Sequence, residues 1–240
     1  MSKRFGWFFL CIMAASAALL GAYGYSCAVT AMTELKNTEY IIVIDAGHGE
    51  PDGGAISCTD IPESRYNLEI SLRLKDLMNL IGFKTVLTRK DAASIYTKGN
   101  TIAEKKVSDL KERVRIVEST PNALLLSIHQ NNFPDGQYSG AVVLYGKNSD
   151  SKILADSMQG SFVRYLNPGS KRKSKPADSV YLLEHISCPA VLVECGFLSN
   201  PQEEALLRSP QYQKKICCLL VGTVSEFVSG KNGNNNGILS

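Results

Sequence analysis

A single-domain α/β sandwich, with a largely parallel central sheet flanked by helices, is the fold this sequence predicts. Three observations lead there. Apolar runs at Tyr40–Ile44, Ala123–Ile128 and Ala190–Val193 read as strands covered on both faces, the pattern of a parallel sheet. Segments with apolar residues at helical spacing alternate with those runs. No internal repeat or second linker interrupts residues 40–229, a span of ordinary domain size.

In chain order, Lys3 and Arg4 precede a stretch from Phe5 to Thr33 that carries no charge. Residues 1–33 are therefore expected to be a signal peptide or an N-terminal membrane anchor, with Val29-Thr30-Ala31 as a cleavage candidate and the folded part exported. Residues 34–39 are a linker. The first strand covers 40–45, and a glycine-rich loop follows through Ser57. A helix starts near Ser64, with Ile70, Leu74, Leu77, Met78 and Ile81 on one face, and Gly82 ends it. Residues 83–88 form a second strand, and the polar stretch 91–106 a surface loop. A helix carrying Val107, Leu110, Val114 and Val117 stops at Pro121. Strands follow at 123–128 and 141–145, then a helix near 151–165, a short strand near 180–183 and a buried strand at 190–193. The last helix covers about 211–228, and residues 230–240, with Asn234, Asn235 and Asn236, form a disordered tail.

Composition narrows the function classes. Of 240 residues, 44% are hydrophobic and 20% charged, which excludes wholesale disorder and a multi-span membrane protein. The 26 basic and 23 acidic residues give +3, and without Lys3 and Arg4 the balance is nearly even, so nothing points to nucleic acid. The local run Lys171, Arg172, Lys173 and Lys175 could touch a polyanion but reads first as a solvated loop. Seven cysteines without C-x-x-C spacing do not make a disulfide framework.

The chemistry-bearing residues concentrate at one sheet edge. His48 and His129, two of three histidines, sit just beyond the carboxyl ends of expected strands, and Glu194 occupies the same position on a third. Ligands of open α/β sheets bind at that edge. Two imidazoles and a carboxylate make a three-ligand zinc set with a fourth position open, and a further carboxylate is needed to carry protons. His48, Glu63 and His129 as ligands, with Glu194 as the proton carrier, use the inventory without remainder. Each residue also has a plainer reading. A histidine near a strand end is often just hydrogen-bonded, and Glu63 suits a helix N-terminus. Glu194, straight after four apolar residues, needs a partner or a function. His185 and Cys195 read as structural.

The motifs around these residues resemble a known family. Asp45-Ala46-Gly47-His48-Gly49, Glu63-Ser64-Arg65-Tyr66-Asn67-Leu68, Ser127-Ile128-His129-Gln130-Asn131 and Pro189 to Asn200 are similar, in order, to four motifs of zinc-dependent N-acetylmuramoyl-L-alanine amidases of the amidase_3 type. Leu110 to Arg113 matches the helix between the second and third. The resemblance implies one Zn2+ on His48, Glu63 and His129, a catalytic Glu194, and peptidoglycan as substrate, with Asn131 a candidate for orienting it. Residues 95–96 and 105–111 are similar to the spore-cortex (CwlD-type) branch. That likeness implies removal of stem peptides ahead of muramic-δ-lactam formation by a deacetylase, and a place in the forespore intermembrane space. An accessory envelope protein is expected to restrain or activate such an enzyme. Alternatives are a zinc peptidase cutting within stem peptides, a metal-independent glycosidase using Glu63 and Glu194, and a catalytically silent wall-binding protein.

Overall fold

The computed structural model describes residues 13–14, 16–26 and 40–236, with side chains to 231. Among them are the strands β1 (Ile41–Ala46), β2 (Lys84–Leu87), β3 (Ala123–Asn131), β4 (Val142–Tyr145), β5 (Lys175–Pro176) and β6 (Ala190–Phe197). The helices of the domain are α1 (Glu63–Leu80), α2 (Ile102–Ser119), α3 (Ser149–Tyr165), α4 (Tyr181–Glu184), α5 (Pro201–Leu207) and α6 (Pro210–Asn236). Most of the expected export segment lies outside the described residues. Its residues 16–26 are helical and exposed, and no described helix is long and apolar enough to cross a membrane.

The six strands form one sheet in the order β2-β1-β3-β6-β4-β5. β1 runs parallel to β2 and β3, and β3 parallel to β6, while β4 is antiparallel to β6. Alternation along each strand builds two cores, because successive side chains point to opposite faces. Ile42, Ile44, Leu124, Leu126, Val191 and Val193 join α1, α3 and α6 in the larger one. Val43, Leu125, Ala190 and Leu192 face α2 and α4 in the smaller. Burying both faces is what makes these strands apolar throughout. Each fully buried Leu or Ile contributes about 1.5–3 kcal/mol.

Boundaries differ from the sequence expectations in instructive ways. α2 begins at Ile102, inside the stretch expected to be a loop, because Thr101 and Glu104 close a capping box. α5 went unforeseen: Asn200 accepts from the Gln202 and Glu203 amides and Pro201 takes the first helical position. The short strand expected near 180–183 is instead the helical turn α4. Adjacent Leu182 and Leu183 are both buried, which a strand alternating between faces would not do, and the edge strand is β5. α6 continues to Asn236, past the expected end and into the expected tail; residues 237–240 lie outside those described.

His129 and Glu194 also sit differently from expectation. Both strands continue past them, so the two residues lie inside β3 and β6 and face each other in register. The register shifts between His129 and Asn131, a local irregularity of the kind that re-aims side chains at sites.

Candidate functional site

The carboxyl end of β1 supplies the first element. Gly47 prolongs the ladder through its amide to the Ile128 carbonyl, 3.0 Å away. The His129 ring lies directly over it: a Cβ on Gly47 would stand 2.2 Å from Nε2, so only glycine fits. His48 follows with φ at 59°, a left-handed conformation costly for a residue with a Cβ. Three contacts hold it there. Arg113 Nη2 donates to its carbonyl at 2.6 Å, paired backbone bonds of 2.9 Å join Gly49 and Asp52, and Asp52 Oδ2 lies 3.1 Å from its Nδ1. Nε2 is thereby turned to the interior.

Glu63 arrives from the start of α1, where the helix dipole favours a carboxylate. Its side chain is buried and surrounded by donors. Oε1 accepts from the Gln130 amide and from Asn67 Nδ2, each at 3.1 Å, and lies 2.9 Å from His129 Nδ1. Oε2 accepts from the Ala55 amide at 3.1 Å and lies 3.1 Å from His48 Nε2. Burial alone would raise its pKa, but the hydrogen bonds and charges of His129 and His48 hold it well below the carboxylate range. For His48, burial is outweighed by Glu63 and Asp52, and its pKa is raised.

His48, Glu63 and His129 thus bring one ligand atom each to within 4.8 Å of one another. Two nitrogens and an oxygen in that space suit a zinc ion bound at about 2.0–2.2 Å to each. The carboxylate of Asp52 behind His48 is the outer partner that metal-binding histidines usually have. Gly54, with φ at 72°, completes the cradle; a Cβ there would stand 2.6 Å from Glu63 Oε2.

Glu194 reaches the group from β6. Its Oε2 is shut from solvent and has no hydrogen-bond partner among the described residues. Burial, with the nearby charge of Glu63, outweighs His129 and His48 and pushes its pKa up to about 7. A buried carboxyl oxygen with an unmet hydrogen-bonding capacity, beside a candidate metal set, is suited to holding a proton in transit.

Asn131 ends β3 opposite Phe197. Its carbonyl accepts from the Leu198 amide at 2.8 Å, and no hydrogen bond links it to the histidine–glutamate group among the described residues. His185 stacks on Tyr181 with centroids 3.9 Å apart and lies 2.8 Å from its carbonyl through Nδ1, a local structural bond. Cys195 is fully buried and its thiol pKa is raised by that burial, so it is no nucleophile.

Sequence reasoning missed the supports. Asp45, Arg113 and Asp109 form a buried ionic cluster, with Arg113 Nη1 2.5 Å from Asp45 Oδ1 and Nε 2.7 Å from Asp109 Oδ2. Arg89 donates to the carbonyls of Ala46, Gly47 and Ser64 at 2.7–3.0 Å. Lys106 pairs with Asp52 at 3.0 Å. All but Arg89 stood in or beside the motifs, but nothing in their spacing says which backbone carbonyl a long cation will reach.

Comparison with known proteins bears on the family. The family model described as N-acetylmuramoyl-L-alanine amidase matches residues 42–224. The germination-specific N-acetylmuramoyl-L-alanine amidase of Bacillus subtilis is 34% identical, over 80% of this chain and 81% of its own. The CwlD amidase of Clostridioides difficile, solved in complex with the GerS lipoprotein, superposes with a TM-score of 0.76 at 37% identity, covering 80% of this chain and 99% of that one. An N-acetylmuramoyl-L-alanine amidase of Clostridium difficile 630 gives a TM-score of 0.70 at 28% identity, over 81% and 100%. With the matched span running from β1 into α6 and enclosing all four residues of the cluster, the chain belongs to the N-acetylmuramoyl-L-alanine amidase family.

Proposed function

We propose that this chain is a zinc-dependent N-acetylmuramoyl-L-alanine amidase, hydrolysing the amide between the lactyl carbonyl of muramic acid and L-alanine in peptidoglycan. His48 Nε2, Glu63 and His129 Nδ1 hold the ion, and Glu194 carries the proton. The observation that carries the reading is the grouping of those three ligand atoms beside the partnerless Glu194 Oε2.

A zinc ion at this position supplies positive charge that polarises the amide carbonyl and acidifies a water. The rest of the work falls to the chain. Asp52 fixes the His48 ring through Nδ1. Asn67 and the Gln130 and Ala55 amides fix the Glu63 carboxylate, so the ligand set is held ready rather than assembled. Glu194 Oε2 takes the proton of the attacking water and delivers it to the leaving L-alanine nitrogen. Without that delivery an amine anion would have to depart, and the amide would not break. On this reading Asn131, two residues beyond His129, orients the substrate.

The biological setting follows the relatives. Likeness to a germination-specific amidase and to an amidase solved with a lipoprotein supports action on spore-cortex peptidoglycan, ahead of muramic-δ-lactam formation by a deacetylase. It also supports an accessory envelope protein as partner. Residues 1–33 then act as an export signal or anchor that places the domain in the forespore intermembrane space.

Digestion of purified peptidoglycan by the zinc-loaded chain, with mass spectrometry of the products, tests the reaction. Intact stem peptides beginning at L-alanine are expected, lost on chelation; internal peptide cuts would instead mean a peptidase. Glu194→Gln should keep its zinc and lose about 10²–10⁴-fold in kcat. Retained turnover in the zinc-bound variant would remove Glu194 from proton transfer.

A further inference from the structure

An open groove of about 790 Å³ lies between residues 139–142 and the loop 167–175. One wall begins at the catalytic edge, because Val142 is the register partner of Glu194 across the antiparallel β4–β6 pair. Directly opposed residues of such a pair stand about 4.5–5.5 Å apart, with side chains on the same face. Lys171, Arg172, Lys173 and Lys175 all line the groove and no acidic side chain does. None of the four forms an ion pair among the described residues. The chain as a whole carries only +3, so this is a local concentration of charge rather than a basic protein's ordinary surface.

Arg172 is set apart from its neighbours by being held in place. Its Nε donates to the Ser139 carbonyl at 2.8 Å, its guanidinium lies 4.9 Å over the Phe197 ring, and its stem covers Gly140. The Nη atoms make no hydrogen bond to the described residues. Glu203 lies beneath, but its two oxygens are committed to the Gly140 and Phe197 amides, each at 2.8 Å. A fixed guanidinium with free Nη donors is the geometry that grips a carboxylate in a fork.

Building on the amidase reading, we propose that this groove is the subsite for the free carboxylates of the substrate's stem peptide, with Arg172 as the fixed carboxylate contact and the three lysines as its electrostatic surround. The two halves of the scissile amide differ in charge. The glycan side is neutral, whereas the peptide side carries the carboxylate of its acidic second residue and those beyond it. A cationic groove starting beside Glu194 therefore sets the direction in which the substrate lies. The peptide runs toward β4 and the 167–175 loop, and L-alanine nitrogen comes to rest next to the proton carrier.

The test uses the full chain and two muropeptides that differ only in whether the stem-peptide carboxylates are free or amidated. Zinc-loaded wild type should cleave the free-acid substrate with about tenfold higher kcat/KM than the amidated one. The preference should sit in KM and shrink as salt rises. Arg172→Gln should raise KM for the free-acid substrate about tenfold, leave kcat within twofold, and lose the discrimination. The exposed triple variant K171Q/K173Q/K175Q should mainly flatten the salt dependence, which provides a second arm if Arg172→Gln folds poorly. Binding of the released free-acid peptide to the metal-free chain, followed by fluorescence anisotropy, gives a readout independent of turnover. Equal cleavage of both substrates, or peptide binding indifferent to amidation, overturns the subsite and leaves the amidase reading standing. Carboxylate-dependent binding without hydrolysis at the L-alanine bond supports the subsite and sinks that reading.

Discussion

At the scale of single residues, the site is defined by what crowds it. Gly47 has a histidine ring where a side chain would go, and Gly54 a carboxylate and a second ring. Substituting alanine at either must push one of these side chains aside. Asp52 acts at one remove, aligning His48 without entering the ligand group. Asp52→Asn should weaken zinc binding about 10–100-fold, read by competition with a chromophoric chelator, while kcat at saturating zinc stays near that of the wild type. Glu194 supplies a pH prediction for the metal-free chain. Its pKa in the fold, about 7, exceeds the unfolded value of about 4.3. Below both values it is neutral in each state and costs nothing. As pH rises between them the unfolded chain ionises first, so the fold loses stability. Glu194→Gln should therefore gain on the wild type from pH 5 to pH 8, by about 1–2 kcal/mol after allowance for partial exposure. Urea titrations at the two pH values check it; an unchanged difference would mean Glu194 titrates normally.

At the scale of elements, β1 and α2 are joined by charge. Arg113, 2% exposed, reaches from α2 to Asp45 on β1 and onward to the His48 carbonyl. Asp45 also accepts from Ser127 Oγ on β3 at 2.6 Å and from Thr88 Oγ1 at 2.8 Å. Burial would raise the pKa of Asp45, but Arg113 and these hydroxyls lower it. Removing one partner of a buried pair leaves the other uncompensated, so Asp45→Asn should cost about 3–5 kcal/mol by urea unfolding at neutral pH. The sign of the pH dependence follows from the lowered pKa. The contribution is complete above the unfolded value of about 3.9 and disappears as pH falls through the lower folded one. The gap between variant and wild type should therefore close only in strong acid. Because the same guanidinium holds a left-handed His48, this cluster links the stability of the sheet to the shape of the site.

At the scale of the whole molecule, the fold rests on its two buried apolar cores. α6 closes the larger core with Ile216, Leu220, Val224 and Val228, each fully buried. At about 1.5–3 kcal/mol per side chain, losing these four removes about 6–12 kcal/mol, comparable to the whole 5–15 kcal/mol margin of a typical domain. A chain ending before Pro210 should fail to give a cooperative thermal transition. Chelation of the intact chain should abolish amide hydrolysis yet leave its far-ultraviolet circular dichroism unchanged, since His48, Glu63 and His129 sit on a preformed loop, helix and strand.

Much of this was legible beforehand, for identifiable reasons. Apolar runs announced the central strands because burial on both faces leaves little room for polar residues. His48 and His129 stood out as rare histidines just past expected strands, Glu194 because a carboxylate straight after apolar strand residues is costly without a use, and Glu63 as the acidic residue opening the first helix that completes the set. The Thr101–Glu104 capping box and the Asn200-Pro201 pair were also readable, and their neglect shifted α2 and hid α5. Other features had no local signature. Leu182 and Leu183 fit a strand or a turn equally well until packing against β6 chose the turn. That His129 and Glu194 face each other inside paired strands depends on register, which is settled between strands far apart in sequence. Likewise the run Lys171–Lys175 reads as a solvated loop in one dimension, and becomes a groove only because β4 runs antiparallel to β6 and brings Val142 beside Glu194. Local composition and spacing determined the kind of fold and the candidate site residues, since those follow from burial and chemistry at each position. Distances among them, their supports and the charge facing the site were decided by tertiary structure alone, because they arise only when distant segments are packed together.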